Sequence, residues 1–558
     1  MKTLIIGGVA GGASAAARLR RLREKDEIVM LERGEYVSFA NCGLPYFIGG
    51  VITDKSKLTL QTPESFKARF NIDVRVQSEA VKIDPAQKTI AVKDLKTGEI
   101  YNESYDNLIL SPGAEPVKPN IEGADASFVF TLRNIPDTLK IKDFINEKQP
   151  RDAVVVGGGY IGLEMAENLK EAGLNVTVAE LSEHLIPSLD FDMAADVHRY
   201  LKSKGINLLL NNGVKAIKDG RVVLNRGEVK ADMVIMSAGV KPETRLAREC
   251  GIPLNGRGSI IVDSHMRTGV PDIYAVGDAV EVHDFITGQP VFVPLAGPAN
   301  KQGRIAADNI AGIPSEYTGT QGSAVIKLFD MTAGATGLNE KGAAAMGLDY
   351  DKTYIYSASH ASYYPGGANM SIKALWDRKT LKLLGAQIVG FDGVDKRLDV
   401  LAACIRLGAK ITDLTRLELC YAPPFGSAKD PVNMLGFTAE NIVTEKVKQF
   451  FWHDVANLPR DGSVTLLDVR TPLEVSRGKI DGFINIPVDS LRERINEIPA
   501  DKPVYVHCHS GLRSYIACRI LEANGHEAYN FAGGFRFYDA VTNDRALVER
   551  AMSCGMDK

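Results

Sequence analysis

Paired cysteines, long apolar runs and a surplus of either charge are all missing from this sequence, and each absence removes a class of protein. The 558 residues hold seven cysteines, at 42, 250, 404, 420, 508, 518 and 554, none in a CxxC pair or at metal-ligand spacing. A disulfide framework and a metal centre are therefore not expected, and thiol chemistry has to rest on single cysteines. No apolar run approaches the ~18 residues of a membrane span. Lys+Arg 66 against Asp+Glu 69 leaves a net charge of −3, which gives no support to nucleic-acid or membrane-surface binding. The opening Met1-Lys2 followed by LIIGGVAGGASAAA has the outline of a signal peptide. Arg18, Arg20, Arg21 and Arg23 follow at once, however, and the stretch reads better as strand, glycine turn and helix, so a cytoplasmic location is expected.

What is present is glycine at strand-to-helix turns. KTLIIGGVAGGASAAARLRRL followed by EIVMLERG gives a buried strand, a tight turn at Gly7 and Gly12, a helix over 13–23, and a second strand ending on Glu32. Val9 stands where the second glycine of such a loop is usual. The arrangement returns as DAVVVGGGYIGLEMAENLKEAGLNVTVAE, where Gly157, Gly159 and Gly162 fill GxGxxG and Glu180 closes the strand. One such loop can be a plain structural turn; two complete units point to two dinucleotide sites. A carboxylate at Glu180 would repel a 2′-phosphate, which favours NADH over NADPH. From residue 321 the pattern becomes β-rich alternation with helical stretches near 393–408. VTEKVKQFFWHDV (443–455) reads as an amphipathic connecting helix, and a last unit has strands at VTLLDV and PVYVHC.

GGVAGGASAAARLRRL, SFANCGLPY (38–46), GGGYIGLE (157–164) and IYAVGDA (273–279) together resemble the pyridine nucleotide-disulfide oxidoreductase family over residues 1–445. The likeness is greatest to its coenzyme A-disulfide reductases and the related NADH oxidases and peroxidases. TLLDVRTPLEVSRGKIDGFINIP and VYVHCHSGLRSYIACRIL resemble rhodaneses over 456–558. The resemblance implies an α/β chain with two Rossmann-like FAD- and NAD-binding lobes, an α/β dimerisation domain and a C-terminal rhodanese-like α/β domain. The expected boundaries are 1–111 with 240–320 for FAD, 112–239 for NAD, 321–442 for dimerisation, 443–455 for the linker helix and 456–558 for the rhodanese domain.

The same resemblance implies FAD held by Gly7, Gly12, Glu32 and Asp278, a nicotinamide cofactor held by Gly157, Gly159, Gly162 and Glu180, coenzyme A as a reactant, and a homodimer. Cys42 becomes the redox cysteine in place of an ordinary core thiol. No second cysteine is near it in sequence, so its partner is a CoA thiol, a substrate persulfide or a sulfenic acid. Arg18 and Arg21, at i and i+3 on one helix face, would meet CoA phosphates or else form a solvated basic face, and Ser38 and Asn41 would position substrate. Tyr363 and Tyr421 look equivalent to a tyrosine pair that reaches the redox cysteine from the other subunit, with Tyr364 adjacent to the first; core packing is the plainer reading of these aromatics. Strand 504–507 delivers Cys508 into a loop closed by Arg513, where backbone N–H groups would lower the thiol pKa and hold a persulfide, and Arg513 would attract an anionic donor. The expectation is NADH-dependent reduction of CoA disulfide, CoA persulfide or polysulfide. An NADH oxidase or peroxidase working through a Cys42 sulfenic acid, and a dedicated sulfurtransferase, are the alternatives.

Overall fold

A computed structural model describes residues 1–553, so Cys554 lies outside the described residues. The chain divides into two compact units: residues 1–179 with 213–322, and 180–212 with the chain from 323 onward. No helix among the described residues is long and apolar enough to cross a membrane.

In the first unit, the run TLII makes the strand Lys2–Ile6 the centre of a parallel sheet. The strand order is Ile273–Ala275, Asn107–Leu110, Lys2–Ile6, Glu27–Leu31, Asp73–Arg75. Small residues let the helix Ala10–Leu22 lie against the helix Ala296–Ile310: Ala15, Ala16, Ala306 and Ala307 are fully buried between the layers. At Gly303 the approach is closest, since a Cβ there would sit 2.2 Å from the Gly11 carbonyl oxygen. A second parallel sheet runs Asn175–Ala179, Asp152–Val156, Met233–Met236, Val129–Phe130.

In the second unit, an antiparallel sheet orders Ala324–Leu328, Met331–Gly337, Leu383–Gly390, Asn369–Asp377, Tyr350–Ala358. The helices Val394–Arg406 and Pro431–Val443 accompany it. A parallel sheet follows in the order Lys448–Phe450, Ala528–Phe531, Val504–His507, Thr465–Asp468, Ile484–Asn485.

The expected helix over 443–455 is wrong. The helix Pro431–Val443 stops there, and the connector becomes the edge strand Lys448–Phe450 and a short 3₁₀ turn, Trp452–Asn457. The run is too short to fix a helical period, and its apolar residues have a better use. Phe450 is 4% exposed and stacks on Phe531 with centroids 4.8 Å apart, burying aromatic area that a solvated helix would leave exposed.

The compact units also cut across the lobe expected at 112–239, because residues 180–212 are counted with the C-terminal unit. The helix Phe191–Ser203 supplies the reason. Its His198 is fully buried against Asp544 of the last helix, Gly534–Ser553, and Asp196 receives two hydrogen bonds from Arg536. Near its start, Asp192 meets buried Lys373 of the antiparallel sheet at 2.9 Å.

Candidate active sites

The first glycine loop closes on itself. Gly7 has φ +95°, and a Cβ on Gly12 would sit 1.9 Å from the Gly7 carbonyl oxygen. The second loop repeats the contact, with a Cβ on Gly162 falling 2.0 Å from Gly157 O, while Gly159 faces open space at the start of the helix Tyr160–Glu171. Both loops thus turn tightly into a helix N-terminus, and at Gly159 the second leaves that end open, the cradle a pyrophosphate requires. Val9 is the residue just before the first helix, so the departure from the strict glycine pattern falls at its N-cap. Glu32 accepts from the backbone N–H groups of Gly8 (3.0 Å) and Gly34 (2.8 Å), and it lines a cleft with Gly7, Arg133, Glu243 and Asp278. Burial pushes the Asp278 carboxyl above its ordinary range. Glu180 follows the strand Asn175–Ala179 and accepts from Ser182 N at 2.7 Å.

Cys42 sits in a 3₁₀ turn, Asn41–Gly43, ahead of the short helix Leu44–Ile48. The residue reaches the surface, yet the protein packed around its thiol, with the carboxylates of Glu164 and Asp278, pushes the thiol above its ordinary range. Sequence reasoning missed Glu164, although it ends the GGGYIGLE motif. Burial and the neighbouring Glu167 push Glu164 up to about 7, against a hydrogen bond from Tyr46 that works the other way.

The chain around Cys42 runs between two hollows. Asn41 lines the glycine-loop cleft, whereas Ser38 lines a second pocket with Arg18, Arg21, Gln61 and Arg304. Asn41 is therefore not grouped with the other three residues expected to meet CoA. Arg18 gives its Nε to Asp308 at 2.6 Å, while Arg21 and Arg304 are exposed. Ser38 holds φ +47°, an unfavourable backbone for a serine, kept by its N–H bonding Gly8 O at 2.8 Å. Arg304 and Gln61 carry no sequence motif that would have revealed them.

In the second unit, Tyr363 and Tyr421 bring their hydroxyls to 2.7 Å, and both side chains are exposed. Tyr364 turns elsewhere, edge-on to His360. The two loops are tied by a residue that sequence alone did not single out. Arg397, 2% exposed, donates to Ser359 O at 2.7 Å and to Asp430 at 2.9 Å, and Ala361 N reaches Gly426 O.

Cys508 follows the strand Val504–His507 and is buried. Its Sγ accepts from Gly511 N at 3.1 Å and from Ser514 Oγ at 3.3 Å. The loop rests on the start of the last helix, where Phe535 N bonds Cys508 O at 2.8 Å and Arg536 N bonds His509 O at 3.0 Å. Arg513, expected to attract an anionic donor, is paired within the domain. Its two terminal nitrogens donate to both carboxylate oxygens of Glu474, at 2.8 and 2.6 Å.

Family models match the chain at three places: a pyridine nucleotide-disulphide oxidoreductase model over residues 1–303, the dimerisation domain of that family over 323–431, and a rhodanese-like domain over 452–540. A coenzyme A disulfide reductase of Staphylococcus haemolyticus is 37% identical over 443 residues, covering 79% of this chain and 100% of that protein. The crystal structure of reduced Bacillus anthracis CoADR-RHD is 49% identical with a TM-score of 0.96, covering 98% of each chain. A NAD-dependent persulfide reductase from A. fulgidus is 37% identical with a TM-score of 0.90, covering 96% of this chain and 100% of that one. With two tight glycine loops at helix N-termini and matches of this extent, the chain belongs to the pyridine nucleotide-disulphide oxidoreductases, and it carries a rhodanese-like domain after its dimerisation domain.

Proposed function

We propose that the protein is an NADH-dependent flavoenzyme that reduces sulfur–sulfur bonds of coenzyme A disulfide, coenzyme A persulfide or polysulfide, with Cys508 carrying sulfane sulfur. The observation that carries this reading is the setting of the segment around Cys42: Asn41 lines the dinucleotide cleft, Ser38 lines a pocket holding three arginines, and the thiol feels the carboxylates of Glu164 and Asp278. FAD and a nicotinamide suit the two glycine loops, and FAD, when bound, supplies two-electron transfer from the nicotinamide to sulfur. The Cys42 thiolate attacks one sulfur of CoA disulfide, forming a Cys42–CoA mixed disulfide and expelling a CoA thiolate. Two electrons and a proton then release the second CoA thiol and restore the Cys42 thiolate. Arg18, Arg21 and Arg304 hold the phosphates of CoA, Ser38 in the same pocket orients its arm, and Asn41 faces the dinucleotide cleft on the other side. Glu164 holds a proton near neutral pH beside Cys42. A second copy of the chain brings its Tyr363–Tyr421 pair to the departing sulfur as proton donor.

The names of the relatives support sulfur–sulfur reduction over oxygen reduction, and Glu180 supports NADH over NADPH. The test is mass spectrometry of the purified, unreduced protein with NADH oxidation assays beside it. CoA attached at Cys42, and loss of CoA persulfide-dependent NADH oxidation in Cys42→Ser, are the expected results. NADH oxidation by CoA persulfide that survives in Cys42→Ser overturns the reading.

A further inference from the structure

The three arginines that bear on the Cys508 loop are all paired. Arg470, Arg513 and Arg536 all bear on His509, and each is matched by a carboxylate: Arg470 by Asp468 at 2.7 Å, Arg513 by Glu474 in two bonds, and Arg536 by Asp196 in two bonds. His507 at the end of the strand and His509 in the loop add no charge at neutral pH, because burial lowers His509 and holds His507 at about 4.

Glu474 is built into this position. Thr471 caps the helix Pro472–Ser476 and gives Glu474 both its N–H (3.0 Å) and its hydroxyl (2.9 Å). With Arg513 as the largest influence, these bonds hold the carboxyl at about 2, so it is ionised throughout the physiological range. Arg513 lies beside Cys508 and is the cation placed to draw in an anionic sulfur donor. The bidentate pair answers that charge before any donor arrives.

Exposed apolar side chains stand next to the pair. Leu512 opens the helix just before Arg513 and is 59% exposed, Leu473 precedes Glu474 and is 63% exposed, and Ile516 lies one helical turn beyond Leu512 and is 41% exposed. Exposed leucines beside a neutralised Arg513 suit a persulfide carried on an uncharged organic arm, whereas a small dianion such as thiosulfate meets arginines that are already paired.

We propose that Glu474 is a specificity-determining residue of the Cys508 site: by neutralising Arg513 it directs the site to organic persulfides and away from thiosulfate. This rests on the reading of Cys508 as a sulfur carrier. In the step, the Cys508 thiolate attacks the terminal sulfur of R–S–SH. The Cys508 S–S bond forms, the R–S bond to that sulfur breaks, and the electron pair leaves on RS⁻, giving Cys508–S–SH.

The experiment compares kcat/KM for sulfur transfer to cyanide from pantetheine persulfide and from thiosulfate, using the full-length protein. Glu474→Gln keeps the hydrogen-bonding shape and frees one positive charge. Its thiosulfate-to-persulfide ratio is expected to rise roughly tenfold or more, with the rise suppressed by added salt. Glu474→Asp keeps the charge and is expected to retain the wild-type ratio, so a ratio that rises equally in both variants assigns the effect to a disturbed helix and overturns the proposal. An unchanged ratio in Glu474→Gln, with transfer intact, overturns the proposal and leaves the carrier reading standing. Wild-type protein that transfers sulfur from neither donor overturns both.

Discussion

The hydroxyl oxygens of Tyr363 and Tyr421 are 2.7 Å apart, so one phenol donates to the other and the pair retains one proton to give outward. The bond to Tyr421 is the main influence that raises Tyr363 above its ordinary range, which keeps it protonated through neutral pH. Replacing either residue with phenylalanine is expected to lower kcat for CoA disulfide by about a hundredfold. Flavin absorbance and thermal stability should be unchanged, because both side chains are exposed. Steady-state turnover of the two variants and of the double variant checks this, and the double variant should lose no more than either single one if the tyrosines act as a unit.

Glu164 and Cys42 are linked by charge. An ionised Glu164 opposes the Cys42 thiolate, so Glu164→Gln is expected to lower the thiol pKa. Because Glu164 itself titrates near 7, the difference from wild type should be small below that pH and grow above it. The rate of iodoacetamide alkylation of Cys42 across the pH range measures this, and equal profiles in the two proteins would remove Glu164 from the site.

The second pocket makes a prediction of selective binding loss. Arg21→Ala and Arg304→Ala are each expected to raise KM for CoA disulfide about tenfold, with KM for NADH unchanged. Asp308→Asn frees the Arg18 Nε from its ion pair and is expected to act in the opposite direction. All three effects should shrink at high salt.

His198 and Asp544 predict an acid limb of stability. Leu185 N donates to His198 Nε2 at 3.0 Å, so the proton of the neutral ring sits on Nδ1 and is given to Asp544. Burial holds His198 below its ordinary range. Burial opposes the charge on Asp544, but His198 and Lys202 outweigh it and hold that carboxyl low. A depressed histidine contributes stability above its unfolded value of ~6.5, and a depressed carboxylate above ~3.9; both contributions are lost as pH falls. The calorimetric transition of the C-terminal unit should therefore drop between about pH 7 and pH 5, and His198→Gln should flatten that drop. Asp544→Ala should cost about 1–3 kcal/mol at neutral pH, since it leaves the buried His198 Nδ1–H without an acceptor.

Motifs whose chemistry is contiguous are legible in the amino-acid order itself. The two glycine loops and the Cys508 loop are each formed by a few neighbouring residues, so type and spacing already describe the local geometry. The alternation in AVIKLF, KTYIYSASHASYY and SIKALWD likewise marks strands of the antiparallel sheet. The residues that escape such a reading are those that act across the fold. Glu474 meets Arg513, Arg397 meets Asp430 and Glu164 bears on Cys42 only because separate elements pack together. The connector misleads for a different reason. In VTEKVKQFFWHDV, helical and strand periods fit equally well, and Phe531 decides between them by offering Phe450 a stacking surface.

That connector strand sets the tether length of the rhodanese domain. Between Val443, where a helix ends, and Lys448, where the sheet begins, only residues 444–447 belong to neither element. Fully extended, such a segment spans about 14 Å. The strand beyond it is itself fastened, with Gln449 bonded to Thr353 and Lys352 of the antiparallel sheet. So short and fastened a connector holds the rhodanese domain onto the antiparallel sheet by covalent reach as much as by contact, and residues inserted at 444–447 are expected to lower the melting temperature of that unit.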